Sequence, residues 1–409
     1  MINVKKLIVS IQLGNDELEV GEMIHEGKKI YFKYYTHFIE RGIEISPFKL
    51  KLSDQIYSAD EIPFEGLFGV FADSQSDGWG RLLLDRALTV RGISIYDITP
   101  LDRLSYIGSK GMGALIYRPE IENSAQEDFK LELDSLAESM NQVLAGSSSD
   151  VLEELFQLGG SSGGARPKIL VGYNRETDHL IHGEERIPEG YEHWIIKFPS
   201  SFDRVDIANI EYAYYKMALD AGLEMSESRL FKGASRNVYF GTKRFDRVEG
   251  KRLHLHSAAG LMHDNFRLSN LDYGHIMDCA FQLENHVGAY EKILRMAAFN
   301  VFSHNRDDHS KNFSFLMDQY GNWNVSPVYD LTFSNSSHGF HSTMVSGESK
   351  NPGKKQLMEL ADYFRVKKAN EMMEQVQSVV ADWRNYAVDS GVGKESEELI
   401  FKTIIKMNK

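Results

Sequence analysis

Residues 304–315 read HNRDDHSKNFSF, and this stretch holds two histidines, two aspartates, two asparagines, a lysine and an arginine ahead of an apolar run. Asp307 and Asn312 stand five residues apart. A carboxylate at the first position can accept the proton of an attacking hydroxyl, and an amide oxygen at the second can ligate magnesium, which is the division of labour in phosphoryl transfer. Lys311, one residue before Asn312, can neutralise charge on the moving phosphoryl group. His304, Asp307, Asp308 and His309 also permit a second reading, a transition-metal cluster for hydrolysis. The types alone leave both open. Asp308 reads as a solvated loop residue, and His309 either as a support that hydrogen-bonds the loop or as a substrate contact.

Three further pieces favour the first chemistry. Asp330, in SPVYDLTFS, follows FSFLM, a DQYGN turn and WNVS, a hairpin that returns the chain toward Asn312. A carboxylate there supplies the second oxygen ligand that nucleotide-bound magnesium needs. Upstream, GGSSGGARPK lies between a helix and a strand, where consecutive backbone N–H groups can cradle phosphate. It matches neither of the two best-known glycine-rich phosphate patterns, so by itself it is equally a flexible turn. Lys197, in HWIIKFPS, is flanked by Trp194, Ile195, Ile196 and Phe198. A lysine in a buried strand must find an anion, because an unpaired buried ammonium is costly; on an edge strand it would simply face water. Glu211, on the following helix, is positioned in sequence to pair with Lys197, as a strand lysine and helix glutamate do in protein kinases.

The elements that must carry these groups follow from periodicity. KKLIVSIQLG, LEVGEMI and KKIYFKYYT alternate as short strands. DGWGRLLLDRALTVRG is helical, with Leu84, Ala87 and Leu88 on one face and Trp79 packing within this N-terminal module. Asp150 and Glu153 form a capping pattern for a helix that stops at Gly159–Gly160. PKILVGY and HWIIKFPS read as strands and IANIEYAYYKMALDAGL as an amphipathic helix. NVYFGTKRFDR and KRLHLHS read as a strand pair. YGHIMDCAFQL, GAYEKILRMAAFNVFSH, KKQLMELADYFRV and ANEMMEQVQSVVADWRNYAV are helical. Cys279, on the first of these, reads as core. The expected class is α+β: a bilobal protein-kinase-like fold with a β-rich N-terminal subdomain and a largely helical C-terminal lobe. The expected divisions are a module at 1–120, a part bearing the glycine loop and lysine at 121–250, and a helical part at 251–409 that carries the catalytic loop.

Composition narrows the class. The 409-residue chain is 42% hydrophobic and 26% charged, ordinary for a protein with a normal core. Its net charge of −13 argues against a protein that coats nucleic acid by neutralising phosphates. One cysteine excludes an intrachain disulfide. MINVKKLIVSIQLG reads as a first strand rather than a signal peptide, and no stretch approaches the ~20 apolar residues of a membrane span. A cytoplasmic protein with no membrane partner is expected.

Taken together, SSGGARPK, WIIKFP, NRDDHSKNFSF and VSPVYDL resemble the motifs of the HipA-like serine/threonine kinases, the toxin halves of bacterial toxin–antitoxin modules. PFEGLFGVFADSQSDGWGRLLLDR and LSYIGSKGMGAL are similar to the N-terminal module of that family, and the likeness covers nearly the whole chain. The resemblance implies ATP and Mg²⁺ as cofactors and a protein hydroxyl as acceptor, of which an aminoacyl-tRNA synthetase is one candidate. It implies a HipB-like DNA-binding antitoxin as partner, with DNA reached only through it. By the same resemblance Asp307 is the catalytic aspartate, assisted by Lys311, and Asn312 and Asp330 hold Mg²⁺. Ser161, Ser162, Gly163, Gly164, Ala165, Lys168, Lys197, Glu211, Lys243 and Phe245 contribute to the ATP site, and Ser161 or Ser162 is the site of autophosphorylation. The segment LHLHSAAGLMHDNF departs from the best-known branch, so the acceptor does not carry over. A small-molecule phosphotransferase of aminoglycoside-kinase type and a pseudokinase scaffold working with an antitoxin remain as alternatives.

Overall fold

The computed structural model describes residues 4–121, 131–146, 152–160, 163–183, 187–336 and 339–407. The expected helix cap at Asp150 and the loop serines Ser161 and Ser162 lie outside the described residues. The chain forms two compact units, one of residues 1–203, 231–256 and 317–321, the other of 204–230, 257–316 and 322–409.

The first unit is built mainly on two five-stranded sheets. In β1 (Lys6–Leu13) the alternate residues Leu7, Val9, Ile11 and Leu13 are buried, the period of a half-buried strand. A two-residue Gly14–Asn15 turn, with Gly14 at φ +61°, leads into β2 (Asp16–Glu26), and β3 (Lys29–Tyr34) follows. With β4 (Tyr57–Ser58) and β5 (Leu115–Arg118) the order is β4-β3-β2-β1-β5. The three strands expected at the N-terminus are therefore present. The second sheet has β6 (Lys168–Asn174), β7 (His179–His182), β8 (Tyr191–Lys197), β9 (Ser228–Lys232) and β10 (Val238–Lys243) in the order β7-β6-β8-β10-β9. One apolar cluster joins Trp79, Leu83, Leu84 and Leu88 of the helix Gly78–Val90 to Ile169, Trp194 and Ile196 of this sheet.

The expected pairing of NVYFGTKRFDR with KRLHLHS forms only at the turn, where Arg247 is opposite Arg252, and not along the rest of the first segment. β10 pairs with β8 instead, and the short strands Arg247–Val248 and Lys251–Arg252 pair with each other. The cause is Asp246, buried with Arg244 and Arg247 around it at 2.8–2.9 Å and with the Gly113 N–H donating to it at 2.7 Å. Burial alone would raise this carboxyl, but the two guanidiniums override it and hold it far below the carboxylate range. Arg247 also donates to the carbonyls of Gly111 and Gly113, so the FDR turn pins the GSKGMGAL loop. That demand pulls the chain out of the ladder after Lys243.

The LHLH segment is pinned similarly. His254 Nε2 donates to the Ile45 carbonyl at 2.9 Å, and His256 bridges Asp73 at 2.6 Å and the Ser46 hydroxyl at 3.0 Å. Hydroxyl, imidazole and carboxylate in series is the order of a nucleophilic triad. Ser46, however, is 1% exposed, so no substrate reaches it and the series acts as a tie. Burial pushes the His254 imidazole down to about 3, well under its ordinary value. The unfolded chain binds that proton near pH 6.5 and the folded one does not, so stability is full above that pH and falls as pH drops toward 3. Between pH 7 and 5 this group alone should remove about 2 kcal/mol. Urea unfolding at both pH values checks it, and His254→Gln should flatten the difference.

The second unit is mostly helical, as expected: Ile207–Asp220, Tyr273–Glu284, Gly288–Phe302, Lys354–Tyr363, Ala369–Ala381, Trp383–Ser390 and Lys394–Met407. Cys279 is buried on the second of these. The last expected helix is broken at Asp382, because Trp383 turns inward against Tyr214 and donates to the Glu397 carbonyl at 3.0 Å. The strands Ser314–Met317 and Trp323–Val325 pair as the expected hairpin.

Candidate active site

In the first unit the candidate nucleotide groups converge at one end of β6 and β8. Lys168 and Lys197 are direct cross-strand partners, and Phe240 of β10 is opposite Lys197. Directly opposed residues point to the same face of a sheet. Two ammonium groups are thus brought to one place, which concentrates positive charge beside the glycine loop. β8 is a central strand, so the edge-strand reading of Lys197 does not hold. Its ammonium lies 5.4 Å from the centre of the Phe240 ring. Lys168 is buried and reaches back under the loop; a Cβ on Gly164 would come within 2.5 Å of its Nζ.

The loop itself is held by the start of the helix Gly78–Val90. Ser76 donates to the Gly160 carbonyl, the Gly164 N–H donates to the Asp77 carboxylate, and the Trp79 N–H donates to the Gly164 carbonyl at 3.0 Å. Gly78, at φ +44°, has no room for a side chain: a Cβ would meet the Gly164 oxygen at 2.5 Å and the Ala165 Cα at 2.6 Å. Sequence reasoning assigned DGWG to packing and missed this clamp. The signal was present in Asp77–Gly78, a pair suited to a tight backbone approach. Gly163 and Ala165 are exposed on the loop. Lys243 is in an ion pair with Glu192 at 2.5 Å, and Phe245, in the turn after β10, is half-buried. Burial raises the Glu192 carboxyl, but hydrogen bonds from Lys243 and Arg175 outweigh it and hold the group below its ordinary value.

In the second unit the catalytic-loop candidates come after the helix Gly288–Phe302. Every residue from Ser303 to Arg306 is buried, Asp307 alone is exposed, and Asp308 is buried again. The loop therefore presents one carboxylate to solvent. The Asn312 side chain donates its amide N–H to the Asp307 carbonyl at 2.7 Å, which turns its oxygen outward as a cation ligand requires. Ser310 donates to Asp264 at 2.5 Å, which fixes the loop's middle from LMHDNF. The Tyr329 hydroxyl donates to the Lys311 carbonyl at 2.6 Å, which ties the residue before Asp330 to the residue before Asn312. Asp330 has φ +53°, an uncommon conformation for aspartate and of the sort found where function demands it. Asn312 and Asp330 are oxygen donors, a set that suits magnesium sharing its remaining positions with phosphate. Glu211 is buried on the helix Ile207–Asp220.

Two expectations on this loop are corrected. Asp308 is not solvated; it is 1% exposed and enclosed by donors. His309 forms no hydrogen bond with Asp307, its Nε2 standing 3.9 Å from that carboxylate, and its ring packs on Phe266 at 5.3 Å. The metal-cluster reading fails for a related reason. His304 is turned to Asn335 at 2.9 Å, and Asp308 is filled by its own donors, so the four side chains do not converge. Among the described residues no group of three or more histidine, cysteine or carboxylate side chains could hold a metal ion.

A HipA N-terminal domain model matches residues 13–118 and a HipA-like C-terminal domain model residues 160–383. The second match alone spans more than half of the chain, and the chain belongs to the HipA-like family. Among solved structures it is similar to the HipA of Shewanella oneidensis MR-1, described in complex with HipB and operator DNA. That match has 17% identity and a TM-score of 0.65, and covers 98% of this chain and 95% of that one. The shared fold is mixed α/β, β-rich at the N-terminus and helical toward the C-terminus, the class the sequence suggested. A Helicobacter pylori proinflammatory kinase, CtkA, matches at 11% identity and a TM-score of 0.31 over 53% of this chain and 92% of its own, too slight a likeness to bear on the fold. No curated protein matches. Among the described residues no helix is long and apolar enough to cross a membrane.

Proposed function

We propose that the protein is an ATP-dependent serine/threonine protein kinase acting as the toxin of a toxin–antitoxin pair. The observation that carries the reading is the loop from Ser303 to Asn312, which buries its neighbours and presents Asp307 with Asn312 tied to its carbonyl. The acceptor oxygen forms its bond to the γ-phosphorus as the bond to the β,γ-bridging oxygen breaks. ADP leaves with the electron pair, and the hydroxyl proton goes to Asp307. Lys168 and Lys197 meet the phosphates, with Gly163 and Gly164 of the loop, and Phe245 lines the adenine side. Lys311 offsets charge on the transferring group. Asn312 and Asp330 would hold Mg²⁺, which supplies charge neutralisation on the phosphates. Phosphorylation of Ser161 or Ser162 adds about −1.5 to −2 charges to a loop that must accept more phosphate, and so switches the enzyme off. The Shewanella complex supports a HipB-like antitoxin as partner, with DNA contacted through it.

Incubation of the purified protein with γ-labelled ATP and Mg²⁺, alone and with aminoacyl-tRNA synthetases, tests this. Label on protein is expected. Label on a small molecule instead would make it a small-molecule phosphotransferase. No label despite nucleotide binding would make it a scaffold.

A glycine substitution probes the loop separately. Gly78→Ala should weaken ATP affinity about tenfold or more, because its Cβ meets loop backbone rather than a yielding side chain. Gly27→Ala carries a similar positive φ with nothing within 4 Å, and should leave affinity unchanged. Calorimetric titration of both with ATP distinguishes loop displacement from general strain.

A further inference from the structure

Asp308 is a carboxylate beside the catalytic one that the transfer itself does not use. Four donors converge on it. Its Oδ2 accepts from the Tyr273 hydroxyl at 2.9 Å and from His341 Nδ1 at 2.8 Å. Its Oδ1 accepts from the Ser342 N–H at 2.7 Å and faces the Thr343 N–H at 3.4 Å. Its own carbonyl accepts from the Thr343 hydroxyl at 2.6 Å. Behind Tyr273 the chain of donors continues: Asn305 donates to Asn300 at 2.9 Å, and Asn300 to the Tyr273 oxygen at 2.9 Å. The bonds therefore run one way, from Asn305 to Asp308, and end on a group that only accepts.

Both flanks of Asp307 are sewn to one segment. On one side Ser342 donates to the Arg306 carbonyl through its hydroxyl at 3.2 Å and its N–H at 3.3 Å. On the other side stands Asp308. With its neighbours fixed, the Asp307 backbone has little freedom, while its side chain is exposed. The segment His341–Thr343 lies shortly after Asp330 in the chain, so the same contacts set the loop that bears Asp307 and Asn312 relative to the stretch that follows the second magnesium ligand.

We propose that Asp308 is a positioning residue for phosphoryl transfer: its buried carboxylate latches the catalytic loop to His341–Thr343 and so sets the aim of Asp307. This rests on Asp307 being the catalytic aspartate. An asparagine of the same shape cannot replace it. In either orientation its NH₂ faces donors, the Tyr273–His341 pair or the Ser342–Thr343 pair, and a buried donor set against donors is left unsatisfied.

The test compares wild type, Asp308→Asn, Tyr273→Phe and the double variant in labelled-ATP transfer, nucleotide binding and amide hydrogen exchange. Asp308→Asn should lower kcat about 100-fold, as a displaced reacting group does, with ATP affinity within about threefold of wild type. Tyr273→Phe, which removes one bond to the carboxylate, should cost about tenfold. The double variant should be no slower than Asp308→Asn, since both break one latch. Exchange should quicken in 304–312 and 339–344. A kcat for Asp308→Asn within about threefold of wild type, or additive losses in the double variant, overturns the proposal. Unchanged exchange in those segments also overturns it. Should Asp308→Asn not fold, the Tyr273→Phe kcat and exchange decide. A wild type that transfers no phosphoryl group overturns the kinase reading instead, and the exchange data then judge the latch by themselves.

Discussion

Asp307→Asn should lower phosphoryl transfer by about 100- to 10,000-fold while ATP binds as before. The direction follows from the geometry of the loop. Asp307 is the exposed residue in a buried run, and Asn312 bonds to its backbone carbonyl, a contact that asparagine retains. The substitution therefore deletes a proton acceptor while keeping that backbone contact. A single-turnover assay separates this from a binding defect, because the loss should appear in the chemical step and leave the nucleotide dissociation constant within about twofold. If Asp307→Asn instead retained transfer, the catalytic role would pass to another group and the kinase assignment would lose its main support.

The second large effect concerns Asp330. Asp330→Ala should abolish measurable transfer and remove most of the Mg²⁺ dependence of nucleotide affinity. Asn312 offers a neutral amide oxygen, whereas Asp330 offers the negative charge that a hard divalent cation prefers. With the carboxylate gone, the cation keeps its phosphate ligands but loses its charged anchor to the protein. Titration of ATP with and without Mg²⁺ reads this: in wild type Mg²⁺ should tighten binding about tenfold or more, and in the variant by much less. The φ of +53° at Asp330 adds a control. Asp330→Asn tolerates that conformation, so it should fold as well as wild type and still lose the Mg²⁺ dependence. Equal losses of stability and affinity in both variants would point to strain rather than to cation binding.

Much of the fold was legible because its signals are local. Alternation in β1 to β3 and the turn at Gly14–Asn15 specify a meander without help from elsewhere. The hairpin from Ser314 to Val325 was readable for the same reason, and the chain after it returns to the loop, where Tyr329 bonds to Lys311. The contact between Asp307 and Asn312 was legible because it depends on short spacing. Asp307 and Asn312 are five residues apart, and that distance lets the amide reach the carbonyl whatever surrounds them. The strand pairing of β10 was not legible, since FGTKRFDR continues as a strand pattern through the point where Asp246 pulls the chain away.

What the sequence by itself determined is the set of elements, the family, and the identity of the groups that could do phosphoryl chemistry. These rest on side-chain types and on separations of a few residues, which the covalent chain enforces. Only the tertiary structure decided the environment of each group. Asp308 draws its donors from Tyr273, 35 residues away, and Gly164 gives its N–H to Asp77 across 87. Asp246 takes the Gly113 N–H across 133. Two adjacent aspartates, chemically identical in sequence, thus became one exposed acid and one buried latch. The physical reason is that burial and hydrogen-bond saturation are set by whatever the fold packs against a side chain, and local pattern carries no record of those distant donors.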